Sequence, residues 1–159
     1  MTADKARIAR QFIEAIPHAK ALGMRIEHVG DGEAIIAMDY DPRFIGDPAT
    51  GVIHGGAVSA LMDTASGAAV MSHPVAPAIT ATIDLRIDYM RPATPGRRII
   101  ARAECYEMTR TVAFVRVTAT DEGGARPFAT AAGAFTVERG PADSGDKGDR
   151  RAEPAGTPA

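Results

Sequence analysis

Residues 55–72, GGAVSALMDTASGAAVMS, constrain the fold more than any other stretch. They are small and apolar, long enough for about five helical turns, and closed off by Pro74 and Pro77. Such a segment reads as a helix buried nearly all round, so the rest of the chain has to supply the layer that covers it. Four later runs have strand character: 79–90, 97–108, 111–121 and 126–138, with Thr109-Arg110 and Glu122-Gly123-Gly124 as turns. In the first run Ile79, Ala81, Ile83, Leu85, Ile87 and Tyr89 are expected on one face, and Thr80, Thr82, Asp84, Arg86 and Asp88 on the other. Earlier, MRIEHVG and EAIIAMDY flank Asp31-Gly32, a hairpin signal. Strands this long around one buried helix predict the α+β class, an antiparallel sheet curled around that helix.

The remaining segments are simpler. Residues 4–21 place Ile8, Phe12, Ile13 and Ile16 on one side of a helix that Pro17 is expected to end or kink. Residues 41–53 hold two Pro and two Gly and read as a loop. Residues 139–159 contain no Val, Ile, Leu, Met, Phe or Tyr; a segment with nothing to bury is expected to be a disordered tail behind a single domain over 1–138. The 18 Lys+Arg against 20 Asp+Glu imply no general nucleic-acid affinity. No stretch is a good membrane span, and the charged start does not suit a signal peptide, so the expected setting is the cytoplasm. The single cysteine, Cys105, excludes an intrachain disulfide and reads as inert.

Two features look chemical. Asp63 is the only Asp, Glu, Lys or Arg between Pro48 and Ile83, where 24% charge would put about eight or nine. A lone carboxylate in an apolar helix is costly to bury, though a hydroxyl such as that of Ser59 or Thr64 could cap it. Gly55-Gly56 opens the helix with N–H groups that no side chain covers, an arrangement suited to an anion or a developing oxyanion. His54 alone reads as a structural hydrogen-bonder, and nothing stands at metal-ligand spacing from it. The absence of a Gly-x-Ser-x-Gly elbow disfavours a serine hydrolase. Gly55 and Asp63 are eight residues apart, about 12 Å along a helix, too far for one small carbonyl to touch both. If they share a site, two subunits build it, and the protein is a symmetric dimer.

The string Gly51-x-x-His54-Gly55-Gly56-x-x-x-x-Leu61-x-Asp63-x-Ala65 resembles the hotdog-fold acyl-CoA thioesterases, in the branch related to the phenylacetate-pathway thioesterase. Residues 82–93, ending in Tyr89-Met-Arg-Pro-Ala, resemble the next strand of that family, and Thr111-Val-Ala-Phe114 the one after. The resemblance covers roughly residues 20–138. It implies a curved antiparallel sheet wrapped around one long helix, assembled as a homodimer or homotetramer. It implies an acyl-CoA thioesterase that releases free acid and CoA and needs no cofactor, coenzyme A being part of the substrate. The N–H of Gly55 would polarise the thioester carbonyl, and Asp63 of the other subunit would act as general base or nucleophile. Thr82 would help to hold the water, and His54 would orient the loop. Arg91, Arg110 and Thr111 match positions lining the coenzyme groove. The pattern departs at Pro48, where related enzymes carry Asn or Gln; Asp47 is the candidate substitute. That departure motivates an alternative, a non-catalytic acyl-CoA- or CoA-binding protein. A hydratase or dehydratase on the same scaffold is disfavoured by the His-Gly-Gly helix start.

Overall fold

The computed structural model describes residues 11, 15–75 and 77–139. Most of the helix expected over 4–21, and all but Arg139 of the tail expected over 139–159, lie outside the described residues. Gln11 is helical, the chain is extended at Ile16, and Pro17 opens a short new helix, α1 (Pro17–Ala21). Pro17 is therefore the first residue of a helix, where its missing N–H costs nothing.

After α1 come β1 (Met24–Gly30) and β2 (Glu33–Met38). Asp31 (φ 49°) and Gly32 (φ 89°) join them; two consecutive positive φ values make the tight turn whose twist matches an antiparallel pair. The expected loop over 41–53 carries structure of its own: a 3₁₀ turn at Pro42–Phe44 and a small hairpin of β3 (Ile45–Asp47) and β4 (Val52–Ile53). Helix α2 spans Gly55–Ser72. It stops at His73, which is extended because Pro74 follows. The remaining strands are β5 (Thr82–Tyr89), β6 (Ile99–Met108), β7 (Val112–Asp121) and β8 (Ala129–Thr136).

Six strands form one antiparallel sheet in the order β1-β2-β6-β7-β8-β5. Helix α2 contacts every one of them. Six strands at about 4.8 Å spacing are far wider than one helix, so the sheet has to curl for all six to reach it. This is the hotdog arrangement that the motif implies. Leu61, Met62, Ala65, Ala69 and Val70 of α2 pack on Ile36, Met38, Ile99, Val115, Val117, Phe128 and Phe135.

The helix is not covered on all sides, however. Gly56, Ser59, Ala60, Asp63, Thr64, Gly67 and Met71 form a partly open stripe at three- and four-residue spacing. Beside it runs β5, the edge strand, which is exposed along most of its length. Of the six large apolar side chains exposed among the described residues, Ile79, Ile83, Tyr89 and Met90 lie on β5 or in the segments flanking it; Val75 follows α2 and Tyr106 lies on β6. One side of the molecule thus leaves both its helix and its sheet edge unfinished.

Register in β5 departs from simple alternation. Thr82 pairs with Phe135 and Asp84 with Ala134, leaving Ile83 as an extra residue in a bulge. The bulge rotates Thr82 onto the helix side with Leu85, Ile87 and Tyr89, whereas alternation places it opposite them. Gly133 makes this possible: a Cβ there would clash with the Asp84 carbonyl oxygen.

The end of β7 carries a buried carboxylate, Asp121, which is 4% exposed. It accepts the Thr94 N–H (2.8 Å), the Thr94 hydroxyl (2.9 Å) and Arg91 Nη1 (2.8 Å). Burial alone would raise its pKa; the bonds from Thr94 and Arg91 outweigh burial and hold it below the ordinary 3.8. A folded-state pKa below the unfolded one stabilises the fold above the unfolded value, and this is lost as pH falls through the folded value. Asp121→Asn is therefore expected to cost about 2 kcal/mol at neutral pH, because it takes the counter-ion from Arg91 and turns an amide NH₂ toward groups that are themselves donors. The gap to wild type should narrow below about pH 4, where the wild-type carboxyl also takes up a proton. Urea unfolding at pH ~7 and ~3 measures this; a gap independent of pH would contradict it.

Candidate active site

The first turn of α2 is set by a local exchange of hydrogen bonds. His54 precedes the helix in an extended conformation, and its Nδ1 accepts the Gly56 N–H at 2.9 Å. A Cβ on residue 56 would stand 2.9 Å from that nitrogen, so the imidazole can fold back only over glycine. The His54 N–H donates to the Phe44 carbonyl, and its Cα sits 2.8 Å from where a Cβ on Gly46 would be. The small hairpin thus clamps His54, and His54 caps the helix. Of the two glycine N–H groups at the helix start, the cap consumes that of Gly56. The Gly55 N–H makes no hydrogen bond among the described residues. A bare N–H at the positive end of a five-turn helix can donate to a negatively charged group.

Gly55 lines a groove of about 380 Å³ with Val52, Val58, Met90, Pro92 and Phe128 among its walls. Those walls are mainly apolar, which suits the body of an acyl or thioester ligand. Tyr89 and Arg91 also line it. The Arg91 guanidinium is already committed: it pairs with Asp121, donates to the Pro92 and Arg126 carbonyls (3.1 and 3.0 Å), and lies over the Phe128 ring.

Asp63 is half-buried on the open stripe of α2. Its Oδ1 accepts the Thr82 hydroxyl at 2.7 Å. Neither nearby helical hydroxyl caps it: Thr64 donates to the Ala60 carbonyl, and Ser59 is engaged with Gly55 and Tyr89. Asp63 and Thr82 are brought together because the β5 bulge turns Thr82 inward.

Within one chain the sequence-predicted residues fall into two groups. Gly55, His54 and Arg91 belong to the end of the sheet where Ile99 pairs with Asp121. Thr82 pairs with Phe135, one step from the end where Val112 pairs with Thr136, and Arg110 and Thr111 form the exposed turn there. Ten-residue strands separate the two ends by about 30 Å. Arg91 and Arg110 of the same chain therefore cannot grip one ligand phosphate. Asp47 is bound up locally, accepting the Ala49 N–H (3.0 Å) and the Thr50 hydroxyl (2.6 Å), which hold its carboxyl below the usual range. Pro48 sits in that turn. Burial pushes the Cys105 thiol up to about 11, so it stays protonated near neutrality. Among the described residues no three His, Cys, Asp or Glu side chains come together as a metal site, and no helix is long and apolar enough to cross a membrane.

Sequence reasoning missed the polar cluster on the other side of Gly55. Tyr89 Oη donates to the Gly55 carbonyl at 2.8 Å and lies 2.8 Å from Ser59 Oγ, which itself reaches that carbonyl at 3.0 Å. Ser59 follows Gly55 by four residues, the helical spacing for such a contact. Nothing in the pattern of β5 announces that Tyr89 reaches across to it.

Known proteins share this architecture. The thioesterase superfamily profile matches residues 50–128. A Halobacterium salinarum relative is 34% identical over 145 residues, spanning 86% of this chain and 94% of that protein. The medium/long-chain acyl-CoA thioesterase YigI of Escherichia coli is 28% identical over 137 residues, 77% and 88% of the two chains. Among solved structures, a mutant of the phenylacetic acid degradation protein PaaI from Thermus thermophilus is 30% identical. It superimposes with a TM-score of 0.67 over 76% of this chain and 98% of its own.

Proposed function

The chain belongs to the thioesterase superfamily, in the hotdog-fold branch of the phenylacetic acid degradation protein PaaI, and on that footing we propose that it is an acyl-CoA thioesterase whose active sites are each built from two copies. The acyl-CoA thioesterases among its relatives support the reaction class. The observation that carries the two-copy reading is the separation of the bare Gly55 N–H from the Asp63–Thr82 pair, eight residues along one helix.

The unfinished side of the molecule supports the same arrangement. Two copies related by a two-fold axis can continue the sheet through antiparallel β5 edges, which also covers the exposed apolar side chains beside it. Antiparallel edges set the Tyr89 end of one β5 against the Thr82 end of the other. Gly55 of one copy then faces Asp63 of its partner. In the reaction, the Gly55 N–H and the helix dipole stabilise negative charge on the thioester oxygen. Thr82 holds Asp63 Oδ1, leaving Oδ2 to take a proton from the attacking water or to attack directly. As general base, Asp63 takes a proton from water as water adds to the carbonyl carbon; the carbon–sulfur bond breaks and the proton passes to the sulfur, releasing the acid and the CoA thiol. As nucleophile, Asp63 displaces the CoA thiolate to form a mixed anhydride, which water hydrolyses to the free acid and the carboxylate; the water's proton goes to the thiolate, and no cofactor takes part. The same exchange of ends brings Arg91 of one copy toward Arg110 and Thr111 of the other, a shared cationic lining for the coenzyme phosphates. The unpaired, buried Cys105 is at home in the reducing cytoplasm, where we place the protein.

The test is thiol release from aromatic, short-chain and long-chain acyl-CoAs. The reading expects turnover with at least one class. The engagement of Asp47 within its own turn and the absence of a side-chain donor at Pro48 favour one second reading, a non-catalytic CoA-ester binder. Thermal stabilisation by CoA with no thiol release from any ester would select it.

A further inference from the structure

Glycine at position 55 leaves its N–H uncovered, but it also leaves the backbone of that residue soft. A donor aimed at a developing oxyanion works only if it is held in place before the reaction. The cap from His54 fixes Gly56, one residue later, and does not touch Gly55 itself. Beyond its place as the first residue of α2, the hold on Gly55 from outside the helix comes from β5. The Tyr89 hydroxyl donates to the Gly55 carbonyl at 2.8 Å, and the ring lies 3.5–3.8 Å from the point a Gly55 Cβ would occupy, ordinary van der Waals contact. Ser59 Oγ closes a triangle of oxygens at 2.8 and 3.0 Å. Ser59 and Tyr89 both reach the Gly55 carbonyl, and the Tyr89 bond orients it from outside its own helix.

We infer that Tyr89, supported by Ser59, is a positioning residue for the Gly55 oxyanion donor. The inference rests on the hydrolase reading above and deepens it. It assigns the Tyr89 hydroxyl an effect on the chemical step and none on substrate capture, because the group bonds to the protein backbone. Tyr89 also ends the edge strand that the second copy is proposed to extend, so the donor and the interface are tied to one side chain.

Tyr89→Phe removes the hydroxyl and keeps the ring. It is expected to lower kcat about tenfold with KM within about twofold, and to leave the dimer intact. Because Tyr89 acts through one N–H, its loss should add almost nothing in a Gly55→Pro background, where that N–H is gone. Nitrogen-15 relaxation supplies a readout independent of turnover: the Gly55 amide should become more mobile in Tyr89→Phe while the middle of α2 does not change. An active enzyme whose Tyr89→Phe variant keeps wild-type kcat overturns the inference. So does an undiminished tenfold loss in the Gly55→Pro background, or an unchanged Gly55 amide. A wild type that releases no thiol from any acyl-CoA, yet loosens at Gly55 when Tyr89 is changed, supports the positioning and counts against the hydrolase reading alone.

Discussion

Asp63→Ala and Asp63→Asn are expected to lower thioesterase kcat about 10²- to 10⁴-fold, the usual worth of a positioned general base, with little change in melting temperature. Asp63 lies on the open stripe of α2, outside the packed core. Its one hydrogen bond among the described residues comes from Thr82 on the edge strand. Losing a half-exposed bond of this kind costs about 1 kcal/mol, and the better helix propensity of alanine offsets part of that. The asparagine variant is the sharper of the two. It keeps the size of the side chain and an oxygen for Thr82, and removes only the ability to accept a proton or to attack. A variant that is folded and dimeric but retains near-wild-type turnover would show that the carboxylate is not the base.

Gly55→Pro is expected to lower kcat about 10²- to 10³-fold, the effect of deleting one oxyanion donor. A backbone N–H is ordinarily hard to delete, but this position permits it. Proline is favoured at the first residue of a helix, and His54 before it is already extended (φ −61°, ψ 134°), as a residue preceding proline prefers to be. The N–H that proline removes carries no hydrogen bond among the described residues. Thermal melts should show stability equal to wild type or slightly higher, since proline also restricts the unfolded chain. Full activity with an intact fold would move the oxyanion donor elsewhere.

Helix α2 was legible to the residue, because its small apolar run is bounded by His-Gly-Gly on one side and two prolines on the other. The hairpin turn at Asp31-Gly32 was legible for a comparable reason: a positive φ at consecutive positions has few sequence solutions. Strand faces were legible only where alternation is unbroken. At Ile83 the bulge shifts the period by one, and the cause lies about fifty residues away at Gly133, which alternation within β5 cannot report. Asp63 stood out because it is alone, whereas its partner Thr82 looked like an outward-facing residue. The exposed stripe on α2 was hidden for a different reason. A stripe of small, mostly uncharged residues has the composition of a wholly buried helix even where the sheet leaves it open. The Tyr89–Ser59 contact joins residues 30 positions apart on elements whose approach is set by packing, and neither residue type is unusual where it stands.

The most direct test of the shared site mixes two inactive proteins. Asp63→Ala retains a working Gly55, and Gly55→Pro retains a working Asp63. When the two are co-expressed and form dimers at random, half are heterodimers, and each has one site with both groups intact. The account predicts recovery to about one quarter of wild-type kcat per protomer from a mixture of two nearly inactive chains. Activity that stays at the level of the two variants alone, in a mixture shown to contain heterodimers, would mean that both groups act within one chain and would contradict the two-copy site.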